Sequence, residues 1–479
     1  MRQVFAHKHM DLTVGDPLLP LKGVADYAFR EAQQELNVYQ HVGSYSSQAF
    51  SAPDTVLGRM HVPVAAYFSR RFPTAQIFAN NVFPVEGGAT GAFNLVLQML
   101  AQDVDAENRN NKRCIKPAIL MPVPTFGLFK QAAGSYGFTV IKVARNLDEG
   151  GMLSAEAVNQ AIQKAHQSGL RVVSYYDSNP QAPMGLVRQW DETRQLAGIF
   201  RKINETYATE DLDFSARRQT PVFSGPASRI FCIDDMVYDG LEYTSVRPAS
   251  FIEMQDMAQN AVALFSLSKI GLVGLRAGLA VGHENIICRL HELQMRSCYF
   301  PSTPALHALQ YYFSNEDVSA ELREKHLDKL REAYYFAGLL LKALVNGLQN
   351  VPEATTAEHA RMRHVLVQQR KYTQKEADAL LANGIPGLKI ITMPQAGFYH
   401  MLDFSALGTN EKEILQELET NYGIKLGLSR WYGLTPETRV SRVHCAMERR
   451  EIVELAERLA AFAGKRMQMS ISLRRQQHR

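Results

Sequence analysis

The most informative segment is Ser266-Leu-Ser268-Lys269-Ile-Gly271-Leu-Val-Gly274-Leu-Arg276-Ala-Gly278. A lysine stands just past a buried-strand pattern, in a loop crowded with glycine. An amine held in an apolar site loses its charge and can form a Schiff base with an aldehyde. Two hydroxyls and an arginine nearby suit a phosphate, and glycine lets the backbone approach it closely. Taken alone, the segment reads equally as a Gly-rich loop with a solvated lysine.

Glu86-Gly87-Gly88-Ala89-Thr90-Gly91-Ala92 opens a helical pattern. Backbone N–H groups at a helix start make an anion site, and Thr90 adds a hydroxyl donor. The alternative is a tight turn of small residues. Three further segments come after strand-like runs, where α/β sheets seat their ligands. They are Met121-Pro-Val-Pro124-Thr-Phe126-Gly127, Asp177-Ser-Asn179-Pro180-Gln-Ala182-Pro183-Met-Gly185 and Ile233-Asp234-Asp235-Met236-Val237-Tyr238. Each alone reads as a turn, a strand-end cap or a core aromatic.

The elements that must position these residues alternate. Strand-like runs fall at 118–121, 170–176, 229–233 and 261–267, with helical stretches at 91–101 and 154–167. Short buried strands between helices imply a largely parallel α/β sheet with helices on both faces. Residues 1–60 read as an irregular arm with a small-domain segment, and 201–228 as a surface excursion. The stretch 303–350 is strongly helical, and the remainder of the chain mixes short strands with helices. The expected division is an arm over 1–60, a large domain over 61–310 and a smaller α+β domain over 311–479.

Among the 479 residues, 46 % are hydrophobic and 21 % charged, which excludes collagen-like and wholly disordered classes. No apolar run reaches the roughly 20 residues of a membrane helix. The most apolar window, from Ala261 to Gly282, is broken by Lys269 and Arg276. The first residues contain no signal-peptide core, so a soluble, cytoplasmic protein is expected. Of 52 basic residues, five lie in the tail 465–479, which has no acid and reads as a frayed, solvated terminus. The remaining body is near neutral, which argues against nucleic acid as a partner.

Five scattered cysteines without a C-x-x-C pair fit reduced thiols, with Cys232 and Cys445 as small core residues. Absence of H-E-x-x-H argues against zinc, so no metal is expected. Gly271, Gly274 and Gly278 have the wrong spacing for a dinucleotide fingerprint, and no P-loop occurs.

Order and spacing together make the set specific. Over about residues 10–460 it resembles the fold-type I pyridoxal-phosphate (PLP) enzymes, specifically the class I/II aminotransferase superfamily. The resemblance implies a large, mostly parallel α/β/α sheet domain with a smaller α+β domain. It makes Lys269 the Schiff-base lysine, Asp235 the partner of the pyridine nitrogen, and Tyr238 the phenol beside the ring 3-oxygen. Asn179 becomes the amide donating to that oxygen, and Phe126 the ring stacked on the cofactor. Gly88, Ala89 and Thr90 with Ser266 and Arg276 become the phosphate cradle. Arg442, in Ser441-Arg442-Val-His-Cys-Ala446, becomes the fork for the substrate carboxylate, with Arg439 as the alternative. Gly15, in Leu12-Thr-Val-Gly15-Asp16-Pro17, falls on the substrate side. Tyr45 matches by rough position a tyrosine that reaches a neighbouring subunit's cofactor phosphate, implying a homodimer with shared sites.

The implied reaction moves an amino group between an L-amino acid and a 2-oxo acid through the Lys269 Schiff base, with ping-pong kinetics. Elimination, cyclisation and decarboxylation use the same residues and stay open. A non-catalytic PLP-binding regulator is a further class, but the motifs begin near residue 10, leaving no room for a preceding DNA-binding domain.

Two departures stand out. The step from Lys269 to Arg276 is seven residues where most members have eight. This shortened form is similar to that of valine–pyruvate transaminases. Ala182 stands where the family's N-P-x-N-P motif has asparagine. Arg296, a candidate to meet a second carboxylate, reads as a solvated helix charge.

Overall fold

The computed structural model describes residues 9–13, 15–38, 56–147, 150–314 and 317–477. Twelve strands are present among them: β1 (Met10–Asp11), β2 (Val82–Glu86), β3 (Pro117–Val123), β4 (Thr139–Ala144), β5 (Arg171–Ser178) and β6 (Phe231–Asp235) come first. They are followed by β7 (Ala261–Ser266), β8 (Ala277–Gly282), β9 (Lys389–Ile390), β10 (Tyr399–Asp403), β11 (Ile424–Lys425) and β12 (Val440–His444). Seven form the central sheet in the order β2-β8-β7-β6-β5-β3-β4, in which β8 alone runs against its neighbours.

Alternation along each strand supplies two cores, one per face of the sheet. Ala261, Ala263 and Phe265 of β7 enter the larger core with Ala118 and Leu120 of β3. Val262 and Leu264, with Ile119 and Met121, enter the other. Fully burying a large apolar side chain contributes about 1.5–3 kcal/mol, so a strand covered on both faces must be apolar throughout. This is the expected fold: a mostly parallel sheet in an α/β architecture.

The antiparallel sheet β12-β10-β9 lies in the C-terminal part, and β1 pairs in parallel with β11. A strap joins this part to the central sheet's loops. Tyr243 N donates to Gln395 O, Gly397 N to Leu241 O, and Gln395 N and Ala396 N both to Gly185 O. Gly185 sits at φ 69°, and a Cβ there would lie 2.4 Å from Pro394 Cβ and 2.5 Å from Ala396 O. Only glycine permits that approach.

Four expectations are corrected. Residues 201–218 are no surface excursion but the body of a 29-residue helix, Trp190–Arg218. The N-terminal arm contains helix Lys22–Val38 and the start of a second helix, Val56–Arg71. The basic tail continues the last helix, Arg449–Gln477, instead of fraying after 464. The Gly-rich run after Lys269 is a loop only up to Arg276, since Ala277 and Gly278 begin β8. Among the described residues no helix is long and apolar enough to cross a membrane.

Candidate active site

Register explains why residues far apart in sequence meet. Because β8 is antiparallel, its start lies beside the ends of its neighbours: Ser266 of β7 opposes Gly278, and Val85 and Glu86 of β2 oppose Gly278 and Ala277. The chain then leaves β2 into helix Gly88–Asn110, capped by Gly87 in the left-handed region at φ 82°. A Cβ on Gly278 would lie 2.7 Å from the carbonyl carbon of Gly88, so the two backbones are in contact. Ser268 N donates to Ser266 Oγ at 3.1 Å, and the Ser266 hydroxyl lies 3.0 Å from that of Ser268. Arg276, exposed and itself left-handed at φ 50°, donates to Gly87 O at 3.0 Å. Helix N–H groups, two hydroxyls and a guanidinium thus converge, which is the chemistry of an anion cradle. Ala89 is buried at this helix start, and Thr90 is exposed.

Asp234 and Asp235 end β6, and alternation separates their fates. Asp234 turns to a buried ionic lattice, accepting from Arg188, from Ser250 Oγ (2.6 Å) and from Phe251 N (2.6 Å). Arg188 also donates to Asp177 at 3.2 Å, and Arg145 holds Asp177 with bonds of 2.9 and 2.7 Å. Such mutually paired charges hold the strand ends in place and are costly to break singly.

Asp235 faces the site. Its Oδ2 accepts from the Tyr176 phenol at 2.9 Å, while its buried Oδ1 has no partner. Burial lifts its pKa to about 7, against the opposing pull of the Tyr176 bond, the Val237 N–H and the Lys269 ammonium. Lys269 comes after β7 in a short 3-10 turn, Leu267–Ile270. Its amine lies 5.8 Å from the centre of the Phe398 ring and, among the described residues, makes no hydrogen bond or ion pair.

The C-terminal sheet supplies the opposite wall. Arg442 of β12 lies across from Met401 of β10, diagonal to Tyr399 on the same face. Its guanidinium stacks over the Tyr399 ring at 4.0 Å. Nη2 donates to the carbonyl of Thr13, and the buried Nε has no partner. Gly15 N donates to the Tyr399 hydroxyl at 3.2 Å. Tyr238 packs edge-on against Tyr399 and Phe398. Its pKa is raised by burial first, then by Tyr399 and Asp235, against the pull of Arg442. Arg439 sits on the turn before β12 at φ 48°.

Most of the sequence-derived set therefore converges: Lys269, Asp235, Tyr238, Arg442 and Gly15 in the cleft, and Gly88, Ala89, Thr90, Ser266 and Arg276 around the cradle. Phe126 caps helix Gly127–Ser135, edge-on to Phe129 at 5.4 Å. Asn179 is corrected. Its amide donates to Arg188 O (2.9 Å) and Ala249 O (2.7 Å), and its carbonyl accepts from Arg188 N (2.8 Å). With both hydrogens spent on backbone, it clamps the turn and has no donor left for a ligand oxygen or a substrate. Tyr45 lies outside the described residues. Arg296 is a surface charge, 3.9 Å from Glu292 one turn back.

Sequence reasoning missed Tyr176 and Tyr399. Tyr176 had a signal: it sits on the strand beside β6, with Ser178 registered against Asp235. Tyr399 had none beyond an aromatic in a short strand.

The residues fit PLP. A buried carboxylate oxygen without a donor suits a protonated pyridine nitrogen, and the cradle suits a phosphate. The model of the family described as aminotransferase class I and II matches residues 8–207 and 226–459. Among solved structures, aspartate aminotransferase from Thermus thermophilus with maleate superposes with a TM-score of 0.64 at 16 % identity, covering 95 % of this chain and 91 % of that one. The aromatic aminotransferase from Pyrococcus horikoshii OT3 gives 0.65 at 15 %, covering 97 % and 98 %. At such identity the likeness shows the fold. Among curated proteins, 1-aminocyclopropane-1-carboxylate synthase 1 of Prunus mume is 22 % identical over 284 residues, 59 % of this chain and 50 % of its own length. The chain spans about half the length of the curated relatives it matches. A family match running through nearly all the described elements, on a fold shared with solved aminotransferases, makes this chain a member of the aminotransferase class I and II family, with pyridoxal 5′-phosphate as its cofactor.

Proposed function

We propose that the protein is a transaminase that exchanges an amino group between an L-amino acid and a 2-oxo acid by a ping-pong mechanism. The buried, unpartnered Asp235 Oδ1 within the field of the Lys269 amine supports PLP chemistry at this site, and the match to the aminotransferase class I and II family favours transamination among its reactions. When bound, PLP supplies an aldehyde that captures amines and a ring that accepts electrons. Asp235 holds positive charge at the ring nitrogen. Arg442 grips the substrate carboxylate through Nε and the adjoining amine, and the Thr13 carbonyl bond fixes its plane. The free Lys269 amine would take the proton from the substrate Cα and redeliver it from the same face. Tyr238 orients its O–H toward the ring oxygen.

The shortened Lys269-to-Arg276 step supports the valine–pyruvate branch within this reading. A homodimer in the cytoplasm, with each site completed by the partner, goes with the family resemblance. A second reading rests on the curated relatives, which are named as synthases of a cyclopropane amino acid. Closing that ring requires a leaving group on the γ-carbon, and it releases no 2-oxo acid.

Arg442 is tested by truncation. Arg442→Ala raises the dissociation constant for amino acids about 100-fold, the worth of a charge-assisted fork. Arg439→Ala leaves it within about twofold. Binding titrations that reverse this order assign the carboxylate to the wrong arginine.

A further inference from the structure

Tyr399 touches every part of the carboxylate side of the site. Its ring lies 4.0 Å from the Arg442 guanidinium, and Tyr432 flanks the same arginine at 5.6 Å. Its oxygen accepts from Gly15 N, which anchors the segment that also provides the Thr13 carbonyl to Arg442. The same segment is pinned one turn on, where Leu18 N donates to the Tyr334 phenol at 2.9 Å. The Tyr238 ring packs edge-on against Tyr399, with centroids 6.0 Å apart.

A phenol oxygen has two lone pairs and one hydrogen. The Gly15 N–H fills one lone pair of Tyr399. Its own hydrogen has no acceptor among the described residues, although the side chain is buried. Phenylalanine would satisfy every ring contact at this position, so the hydroxyl is what requires explanation.

We propose that Tyr399 is a substrate-binding residue: its ring fixes the Arg442 guanidinium, and its O–H donates to the carboxylate that Arg442 grips. This rests on the transaminase reading only in taking Arg442 as the carboxylate fork. The hydroxyl also sets the opposite wall, because the Gly15 segment is hung from it. One side chain therefore fixes both the width of the carboxylate pocket and the plane of its cation.

The test uses the PLP-loaded protein and two probes of similar shape, followed by the change they cause in the visible band. 2-Methylalanine has a carboxylate and no Cα hydrogen, so it binds without turnover; isopropylamine lacks the carboxylate. Tyr399→Phe weakens 2-methylalanine about tenfold, the worth of one lost hydrogen bond to a charged group. It leaves isopropylamine unchanged, because the ring and its packing remain, and lowers the melting temperature only by the cost of the unpaired Gly15 N–H. With a turned-over amino acid, KM rises while kcat stays within about threefold. Equal weakening of both probes would mean a purely structural role, and no weakening of either would mean that the hydroxyl is idle; each overturns the proposal. Arg442→Ala is run in parallel. If it too fails to separate the two probes, the carboxylate assignment falls instead, and the two failures are told apart.

Discussion

Lys269→Ala abolishes turnover and removes the lysine-linked absorption band of the PLP-loaded protein. In the proposed mechanism two functions are lost with one amine: the covalent hold on the cofactor aldehyde and the base that reaches Cα. Loss of a positioned proton carrier alone costs about 10²–10⁴-fold, so turnover falls by at least about 10⁴-fold when the covalent function goes with it. The fold does not suffer. Lys269 is partly exposed, and among the described residues its amine makes no hydrogen bond or ion pair, so truncation costs little stability. The variant should melt with the parent and still retain PLP through the cradle around Gly88, Ser266 and Arg276. Turnover within about tenfold of the parent would remove Lys269 from the mechanism.

Asp235→Asn has effects of opposite sign on stability and activity. The Asp235 pKa stands near 7 in the folded chain, above the ordinary 3.8. Below about pH 4 the carboxyl is protonated in folded and unfolded states alike, and the group costs nothing. Between about 4 and 7 the unfolded chain has released a proton that the folded chain keeps, so stability falls as pH rises. Above about 7 the full cost of a buried, half-partnered carboxylate is present. An amide keeps the bond from Tyr176 and removes the charge. The cofactor-free variant therefore melts above the parent at pH 8 and together with it at pH 4. Activity moves the other way, falling on the order of 10²–10³-fold, the usual cost of removing one fixed electrostatic partner. A parent whose apo stability does not fall between pH 4 and 7 would place the Asp235 carboxylate in a different environment.

How much of this was legible depended on whether a residue's partner was near it in sequence. The β3, β5 and β7 runs are apolar because both faces are covered, and such runs stand out in the sequence. Helix Trp190–Arg218 was hidden for the converse reason. Its inward residues include Thr193, Asp211 and Ser215, so the buried stripe is not a hydrophobic stripe. Asp211 is tolerated there because Arg171 and Arg113 both reach it, a pairing across long sequence distances.

The same division runs through the site. Lys269 and Asp235 were singled out because their motifs stand at strand ends in the order and spacing of the family they resemble. Asn179 was misread because its three partners, on Arg188 and Ala249, are brought to it only by the fold. Tyr399 went unnoticed because its meaning comes from Gly15, Tyr238 and Arg442, which three separate segments deliver. The family resemblance singled out Asp235 over Asp234, and the structure gives Asp235 the unpartnered oxygen.

The central claim is that this site removes amino groups to give 2-oxo acids. The most direct measurement takes the purified, PLP-loaded protein and adds a pool of amino acids without any oxo acid. The expected result is a single turnover: the visible band shifts to that of the amine form of the cofactor, and one equivalent of 2-oxo acid per site is released. Subdividing the pool then identifies the donor. A band that persists while ammonia, carbon dioxide or a cyclic amino acid accumulates catalytically would contradict transamination and assign the scaffold to elimination, decarboxylation or ring closure.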